Sequence, residues 1–421
     1  MSPRLLRSLR RPARLPSQFW VLTLGTFIYV GAAALAFPFE AIYLRQNLHI
    51  STTMIGVLFG LVVLAVMPVQ FWGGHLTDRL GRRLVIMISV LAGVVWFVGF
   101  AFVTRPWEVA ALVAFESAFG WPLFQTASNA MIADLLRPEQ RQEGFGVNRV
   151  AMNLGVVIGP AVAGFALGLG ASYRELFLSA AAGCAFMVVL MAIWIRESRP
   201  ARALQPAPHA DRHGRSGYRA VLHDRVFLVF CAVAVLPVFC IGNFGAMFAV
   251  YATGTLGLPA REWGYLLALN AGVVALLQYP LVRGLRRRNR MTLLAVSSAL
   301  LAVGIGGAAF AGPTWSLVAL ITVMSVGETL LSPIASAEVA DLAPEAVRGR
   351  YMGVWSVVWN GGAALGPTFS GWSMDHVGGR ETFAVLLLVG LAGAGLFALL
   401  APPWRRRHPR KAKTAEARAS A

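Results

Sequence analysis

Charge is what this chain has least of: 13% of its 421 residues are Asp, Glu, Lys or Arg, while 57% are hydrophobic. A soluble domain is about 45–50% apolar and about 25% charged. Two or three water-soluble domains are therefore excluded. Twelve membrane spans of about 20 residues would take roughly 240 positions, in keeping with the apolar fraction. Cysteine is nearly absent too. Cys184, Cys231 and Cys240 all fall in apolar runs, which gives no disulfide framework and no metal-binding spacing, and leaves them as small packing residues. No Ser-His-Asp set, phosphate loop or His/Asp/Glu metal cluster is visible. The grouping Gly144-Phe145-Gly146 lies on a span with no strand before it. The expectation is a protein with no enzymatic activity, no cofactor and no metal.

What charge there is leans one way, to +18 with an isoelectric point near 11.2. Nucleic acid is not the expected partner, because the arginines sit in short loops between apolar runs and no recognition motif accompanies them. The Arg-rich start, MSPRLLRSLRRPARLPSQFW, leads straight into an apolar run. Ala32 to Ala34 mimic a signal-peptide cleavage site, but the run continues past them, so the expectation is an uncleaved first helix.

Twelve apolar spans can be drawn: 19–44, 53–76, 84–103, 108–133, 144–168 and 174–195, then 226–252, 261–283, 291–311, 315–340, 350–374 and 381–402. With the N-terminus on the cytoplasmic side, 31 basic residues fall in inside segments and five in outside loops. That excess predicts both termini inside. Residues 196–225, with Pro200, Pro206, Pro208, Gly214 and Gly217, read as a cytoplasmic linker. It separates a six-helix unit with its tail (1–195) from a second unit (226–402), followed by a basic tail (403–421).

The two units repeat each other. A shift of 207 lays Asp134 on Asp341, Arg141 on Arg348, Gly159-Pro160 on Gly366-Pro367 and Gly164 on Gly371. A shift of 208 pairs Tyr43 with Tyr251, Gly56 with Gly264, Gln70 with Gln278 and Arg82 with Arg290. Ordered polar matches at one offset indicate duplication. Related halves of this kind place a cavity at their interface and rock about it.

Between spans 2 and 3 runs Gly74-His75-Leu76-Thr77-Asp78-Arg79-Leu80-Gly81-Arg82-Arg83. With the repeat, this run resembles the major facilitator superfamily over nearly the whole chain. The residues fit the family's G-x-L-a-D-R-x-G-R-[RK] motif (motif A) at Gly74, Asp78, Arg79, Gly81, Arg82 and Arg83. The resemblance implies an all-α integral membrane fold of two pseudo-symmetric six-helix bundles. It also implies that Asp78 sits at the positive N-terminal end of span 11 and latches the outward-open state. The simpler reading is a basic loop kept for topology. The matching loop of the second half has Arg286 in place of Asp78, so the gate should be asymmetric. In span 5, Gly155, Gly159, Pro160 and Gly164 are similar to the antiporter motif whose core is G-P-x-x-G-G, with Ala163 as a departure. Close helix packing explains the same residues. The overall likeness is to twelve-helix multidrug-resistance drug/proton antiporters. The family's Arg in span 4 has no counterpart here.

Four charges lie inside spans, and each is a functional candidate. Glu328 falls near mid-depth of span 10, Glu116 about eight residues inside span 4, and Glu40 near the outer end of span 1, where it can reach water. Arg149 lies near the cytoplasmic end of span 5, either standing in for the missing span 4 Arg or reaching to the surface. A carboxyl in a dry setting favours its protonated form and can carry a proton across. Depth ranks Glu328 first, Glu116 second and Glu40 third. The alternatives are a water-exposed cavity acid, a static hydrogen-bond partner, or a determinant for cationic substrate. Helical spacing puts Tyr29 and Glu40 on one face of span 1, and Glu116, Phe119 and Leu123 on one face of span 4. Asn243, Met247, Asn270 and Asn360 add to the expected cavity wall. The expectation is a monomeric, multi-pass transporter of a bacterial-type inner membrane. Driven by the proton gradient, it exports amphipathic small molecules. A metabolite symporter, or a membrane sensor on the same scaffold, is the alternative.

Overall fold

The computed structural model describes residues 15–198, 221–286, 288–312, 314–344 and 347–407. Most of the expected linker and of the basic tail lies outside the described residues. Among the described residues there are helices and connections and no strand. Eight helices are by themselves long and apolar enough to cross a membrane. Of the remaining spans, 4 and 7 are interrupted, and span 2 is one continuous helix of 29 residues.

Local signals explain the helix boundaries. Ser51 caps span 2 (Thr52–Leu80), accepting from the Met54 N–H at 3.2 Å. Ser172 and Glu175 form a reciprocal capping box on span 6 (Tyr173–Trp194), and Asp224 caps span 7. Gly81, at φ +97°, makes the turn between span 2 and span 3 (Arg82–Phe102) that a side chain would strain. Spans 1, 5, 8, 10, 11 and 12 are Ser17–Gln46, Pro138–Gly168, Ala260–Leu285, Thr314–Leu342, Arg348–His376 and Gly379–Arg407.

Three spans read as continuous are not. Span 4 is two helices, Pro106–Phe119 and Trp121–Leu135, broken at Gly120 with Pro122 in the first turn after the break. Span 7 breaks after Ile241 and resumes as Met247–Gly254, so Asn243 lies in the turn between the two helices. Span 9 is Arg290–Leu301, a π-helical turn Ala302–Gly306 and a 3₁₀ turn Gly307–Phe310.

Buried apolar side chains form two clusters. One draws on Phe19 to Ile195 with Ala246, Met247 and Val250; the other draws on Val221 to Phe397 with Phe39, Ile42, Ala163 and Leu176. The residues that cross between them come from the turns and from helix ends away from the Asp78 loop. Four glycines paired by the repeat meet crosswise at this seam. Gly56 of span 2 abuts Gly371 and Pro367 of span 11, and Gly264 of span 8 abuts Gly164 and Pro160 of span 5. A methyl group at any of the four would strike backbone. This close approach is confined to one end. At the end that carries the Asp78 loop, Gly74, Gly284, Gly349 and Gly353 have nothing within 4 Å of where a side chain would begin, among the described residues. The molecule is thus sealed at the end of the glycine crossings, and the Asp78 end, here the parted end, shows no such crossing among the described residues.

Candidate functional site

Glu40 does not reach water, contrary to its expected place. It is fully buried, and Trp96 of span 3 donates its indole N–H to Oε1 at 2.6 Å. Oε2 has no partner. The span 1 face that carries Glu40 turns into the first bundle instead of a water-filled cavity.

Glu116 sits one turn before the break in span 4. Its Oε1 accepts the backbone N–H of Trp121 at 3.0 Å, while the buried Oε2 has no partner. The side chain therefore caps the second helix of its own span, capturing an N–H that the break at Gly120 frees. Glu328 lies between spans 8 and 10, where the Asn270 amide donates to it at 2.9 Å and to Ser325 at 3.0 Å. Arg149 is exposed and makes no ion pair among the described residues.

The Asp78 loop is tied inward. Asp78 pairs with Arg82 of its own half at 2.9 Å, with 60% of its side chain exposed. Arg82 is 7% exposed and also binds Asp134 of span 4 at 2.9 Å. The Glu197 carboxylate accepts the backbone N–H groups of Arg82 and Arg83 at 2.9 and 3.1 Å. The second half repeats the pair, with Arg290 bound to Asp341 at 2.7 Å and to Glu338 at 3.0 Å. The repeat had aligned Arg82 with Arg290 and Asp134 with Asp341; that each Arg holds the Asp of its own half was not legible. Gly155 and Gly159 of span 5 pack on Gly31 of span 1, and Gly164 packs on span 8, so these residues make the helix contacts that their size permits.

The expected cavity wall is mostly not a wall. Tyr29 is 2% and Leu123 3% exposed, and Asn243 and Met247 are fully buried. Phe119 is 44% exposed, and Asn270 and Asn360 are half-buried. The break at Gly120 resets the helical register that had placed Glu116, Phe119 and Leu123 on one face. A pocket of about 240 Å³ lies instead between span 1, the second helix of span 4 and span 5. Trp121 and Phe124 form its apolar side, and Gln125, Ser128, Asn148 and Arg149 its polar side. Ser128 Oγ and Asn148 Oδ1 are buried without partners. Of the sequence candidates only Arg149 lines it. Gln125, Ser128 and Asn129, at i, i+3 and i+4, mark a polar stripe in an apolar span, and that pattern could have found it.

The sealed end carries a contact that sequence reasoning missed. Asp375, one residue past the apolar stretch of span 11, accepts four hydrogen bonds from the start of span 2. They come from Thr52 N and Oγ1 at 3.2 and 2.6 Å, and from Thr53 N and Oγ1, both at 2.7 Å. Thr52 Oγ1 also donates to Gly371 O at 2.8 Å, and Thr368 Oγ1 to Gly56 O at 3.3 Å. Partial burial pushes the Asp375 carboxyl up, but the Thr52 and Thr53 hydrogen bonds outweigh it and hold it below its ordinary range.

Comparison with known proteins agrees with this architecture. The family description Major Facilitator Superfamily matches residues 22–316 and, separately, 238–421. The Na(+), Li(+), K(+)/H(+) antiporter of Planococcus maritimus is 27% identical over 374 residues, 82% of this chain and 87% of that one. Multidrug resistance protein MdtH of Salmonella paratyphi B is 25% identical over 398 residues, 93% and 94% of the two chains. The crystal structure of the nucleoside transporter NupG superposes with a TM-score of 0.75 at 15% identity, covering 91% of this chain and 99% of that one.

Proposed function

The chain belongs to the major facilitator superfamily, and on that premise we propose that it exports amphipathic small molecules in exchange for protons by alternating access. It is a multi-pass, all-α membrane transporter of two six-helix bundles and not an enzyme, and its family works without a resident cofactor. The bundles correspond to 1–195 and 226–402, joined by the cytoplasmic linker 196–225 and followed by the tail 403–421. The basic loops face the cytoplasm, with both termini there, in a bacterial-type inner membrane. The parted end is then the cytoplasmic one and the conformation is inward-open. Asp78 is free to reach the start of span 11 only after the cytoplasmic ends close. The chain acts as a monomer.

Proton coupling rests on one observation above all: Glu116 caps the helix whose first turns, Trp121 to Gln125, line the pocket. A carboxylate accepts that N–H more strongly than a neutral carboxyl does, so gain or loss of a proton at Glu116 alters the hold on the pocket wall. Glu116 thus moves ahead of Glu328, which depth alone had ranked first. Glu328, bound to Asn270, is the second carrier, and Glu40, deep behind Trp96, the third. One proton moving down 100 mV releases about 2.3 kcal/mol, and each pH unit about 1.4 kcal/mol more. Together these concentrate a solute tens-fold or better without ATP.

The name MdtH supports drug export for a relative. The Planococcus antiporter's name, with the unpartnered oxygens of Glu40 and Glu116, supports a second reading, exchange of a monovalent cation for protons. Vesicles with an imposed pH gradient and a pH-sensitive dye separate the readings. Proton release driven by a diverse compound panel supports export. Release driven by Na⁺ or K⁺ alone supports cation exchange, and solute uptake along with protons would mean symport. Glu116→Gln and Glu328→Gln should each abolish proton-driven exchange with insertion intact. Wild-type pH dependence in either variant removes that residue from the mechanism.

A further inference from the structure

The pocket between spans 1, 4 and 5 has a composition that points to a particular ligand. Its volume of about 240 Å³ is below the 300–1,000 Å³ common for drug-sized ligands. That space suits one or two fused rings. Trp121 and Phe124 offer flat apolar area, backed by Tyr29, which stacks on Trp121 with centroids 6.0 Å apart. At the polar side Arg149 brings a permanent cation that no acid among the described residues neutralises. Its guanidinium is exposed at the pocket, and its planar fork matches a carboxylate. Asn148, 5% exposed, and Ser128, 3% exposed, add buried oxygens left without partners. The Asn148 amide N–H makes only a long contact to Met152 Sδ at 3.9 Å. Its Oδ1 can only accept, so a ligand satisfies it by bringing a donor.

We propose that this pocket binds a small planar aromatic carboxylate bearing a ring hydroxyl. The carboxylate meets Arg149, the ring lies against Trp121 and Phe124, and the hydroxyl donates to Asn148 Oδ1. The inference names a substrate class for the transport reading above and rests on it.

The test is equilibrium binding to purified protein in detergent with no gradient, so its outcome is independent of proton coupling. The probe is 6-hydroxy-2-naphthoate, compared with 6-hydroxy-2-naphthamide and with 2-naphthoate. Wild-type protein should bind the hydroxy acid saturably, and the neutral amide at least tenfold more weakly. Arg149→Gln should lose at least tenfold in affinity for the acid, and Arg149→Lys should recover part of that loss. Asn148→Leu should erase the preference for the hydroxy acid over 2-naphthoate. Absence of saturable binding, or acid and amide binding within twofold of each other, overturns the proposal. So does unchanged affinity in Arg149→Gln. Should that variant not fold, the acid–amide comparison on the wild type decides alone. If binding holds while vesicles show no proton exchange, the coupling reading fails and the site stands. If other compounds drive proton exchange while the naphthoate does not bind, the site fails and the coupling reading stands.

Discussion

At the scale of single residues, the buried acids differ in how well they are satisfied. Glu40 has one donor, the Trp96 indole, for two oxygens. An unsatisfied buried polar group costs about 1–3 kcal/mol. Trp96→Phe removes that donor and should lower unfolding stability by about 1–3 kcal/mol. Glu40→Gln keeps an acceptor for Trp96 and should cost less. Urea unfolding of both variants in micelles, followed by circular dichroism, ranks them; equal losses would contradict the account of Glu40. Arg82 is bound by both Asp78 and Asp134. Asp134→Ala leaves a nearly buried guanidinium with only the exposed Asp78 and the Thr77 carbonyl as partners and should cost about 3 kcal/mol, read in the same assay. The sequence showed that these charges lie in spans or at their ends. It could not show the partners, because Trp96 is 56 positions from Glu40 and Asp134 is 52 from Arg82.

At the scale of elements, the break in span 4 is the feature with the most consequences. Gly120-Trp121-Pro122 is a helix stop and start within three residues, a signal present in the sequence but overridden by the continuous apolar pattern around it. Reading through it misplaced the cavity face. The Glu116 cap holds the second helix by a side-chain bond of a kind worth about 1 kcal/mol. Glu116→Ala should therefore raise hydrogen exchange at the Trp121, Leu123 and Phe124 amides by roughly fivefold, while the rest of span 4 stays protected. Unaltered exchange there would show that the cap does not hold the pocket helix. The Asp375 latch also joins two elements. Asp375 satisfies two of the N–H groups that begin span 2, and Ser51 takes that of Met54. A carboxyl lowered in the sealed state stabilises that state fully above its free value of about 3.9. The stabilisation is lost only as pH falls through the still lower latched value. Closure at this end should thus be insensitive to pH between 5 and 8 in the wild type. Asp375→Ala should shift the balance toward opening by about tenfold, equivalent to about 1.4 kcal/mol. Reactivity of a cysteine placed at Val250, 3% exposed where the two halves meet, measures both effects.

At the scale of the whole molecule, the duplication explains the architecture and its exceptions explain the switch. The two glycine crossings, Gly56 with Gly371 and Gly264 with Gly164, are related by the repeat and were legible as aligned positions, though not as contacts. Acids break the symmetry. Span 2 ends on Asp78 and span 11 on Asp375, while the corresponding positions on spans 8 and 5 are Arg286 and Gly168. Spans 2 and 11 run antiparallel, so each acid can cap the start of the other's helix, one at each end of the molecule. The Asp375 cap is formed where the bundles touch, while Asp78 is paired with Arg82 of its own half. Asp78→Asn should accordingly slow turnover severalfold with substrate affinity little changed, measured as exchange rate against binding constant in vesicles. Unchanged turnover would discredit Asp78 as a gate.

Two pairs of spin labels test the rocking motion most directly: Asn47 with Thr255 at the sealed end, and Leu80 with Gly349 at the parted end. The native cysteines are buried and need no replacement before labelling. In lipid vesicles under a reversed proton gradient, the first distance should lengthen as the second shortens, and Asp375→Ala should bias the population the same way. Distances that stay fixed, or that lengthen together, would contradict the account.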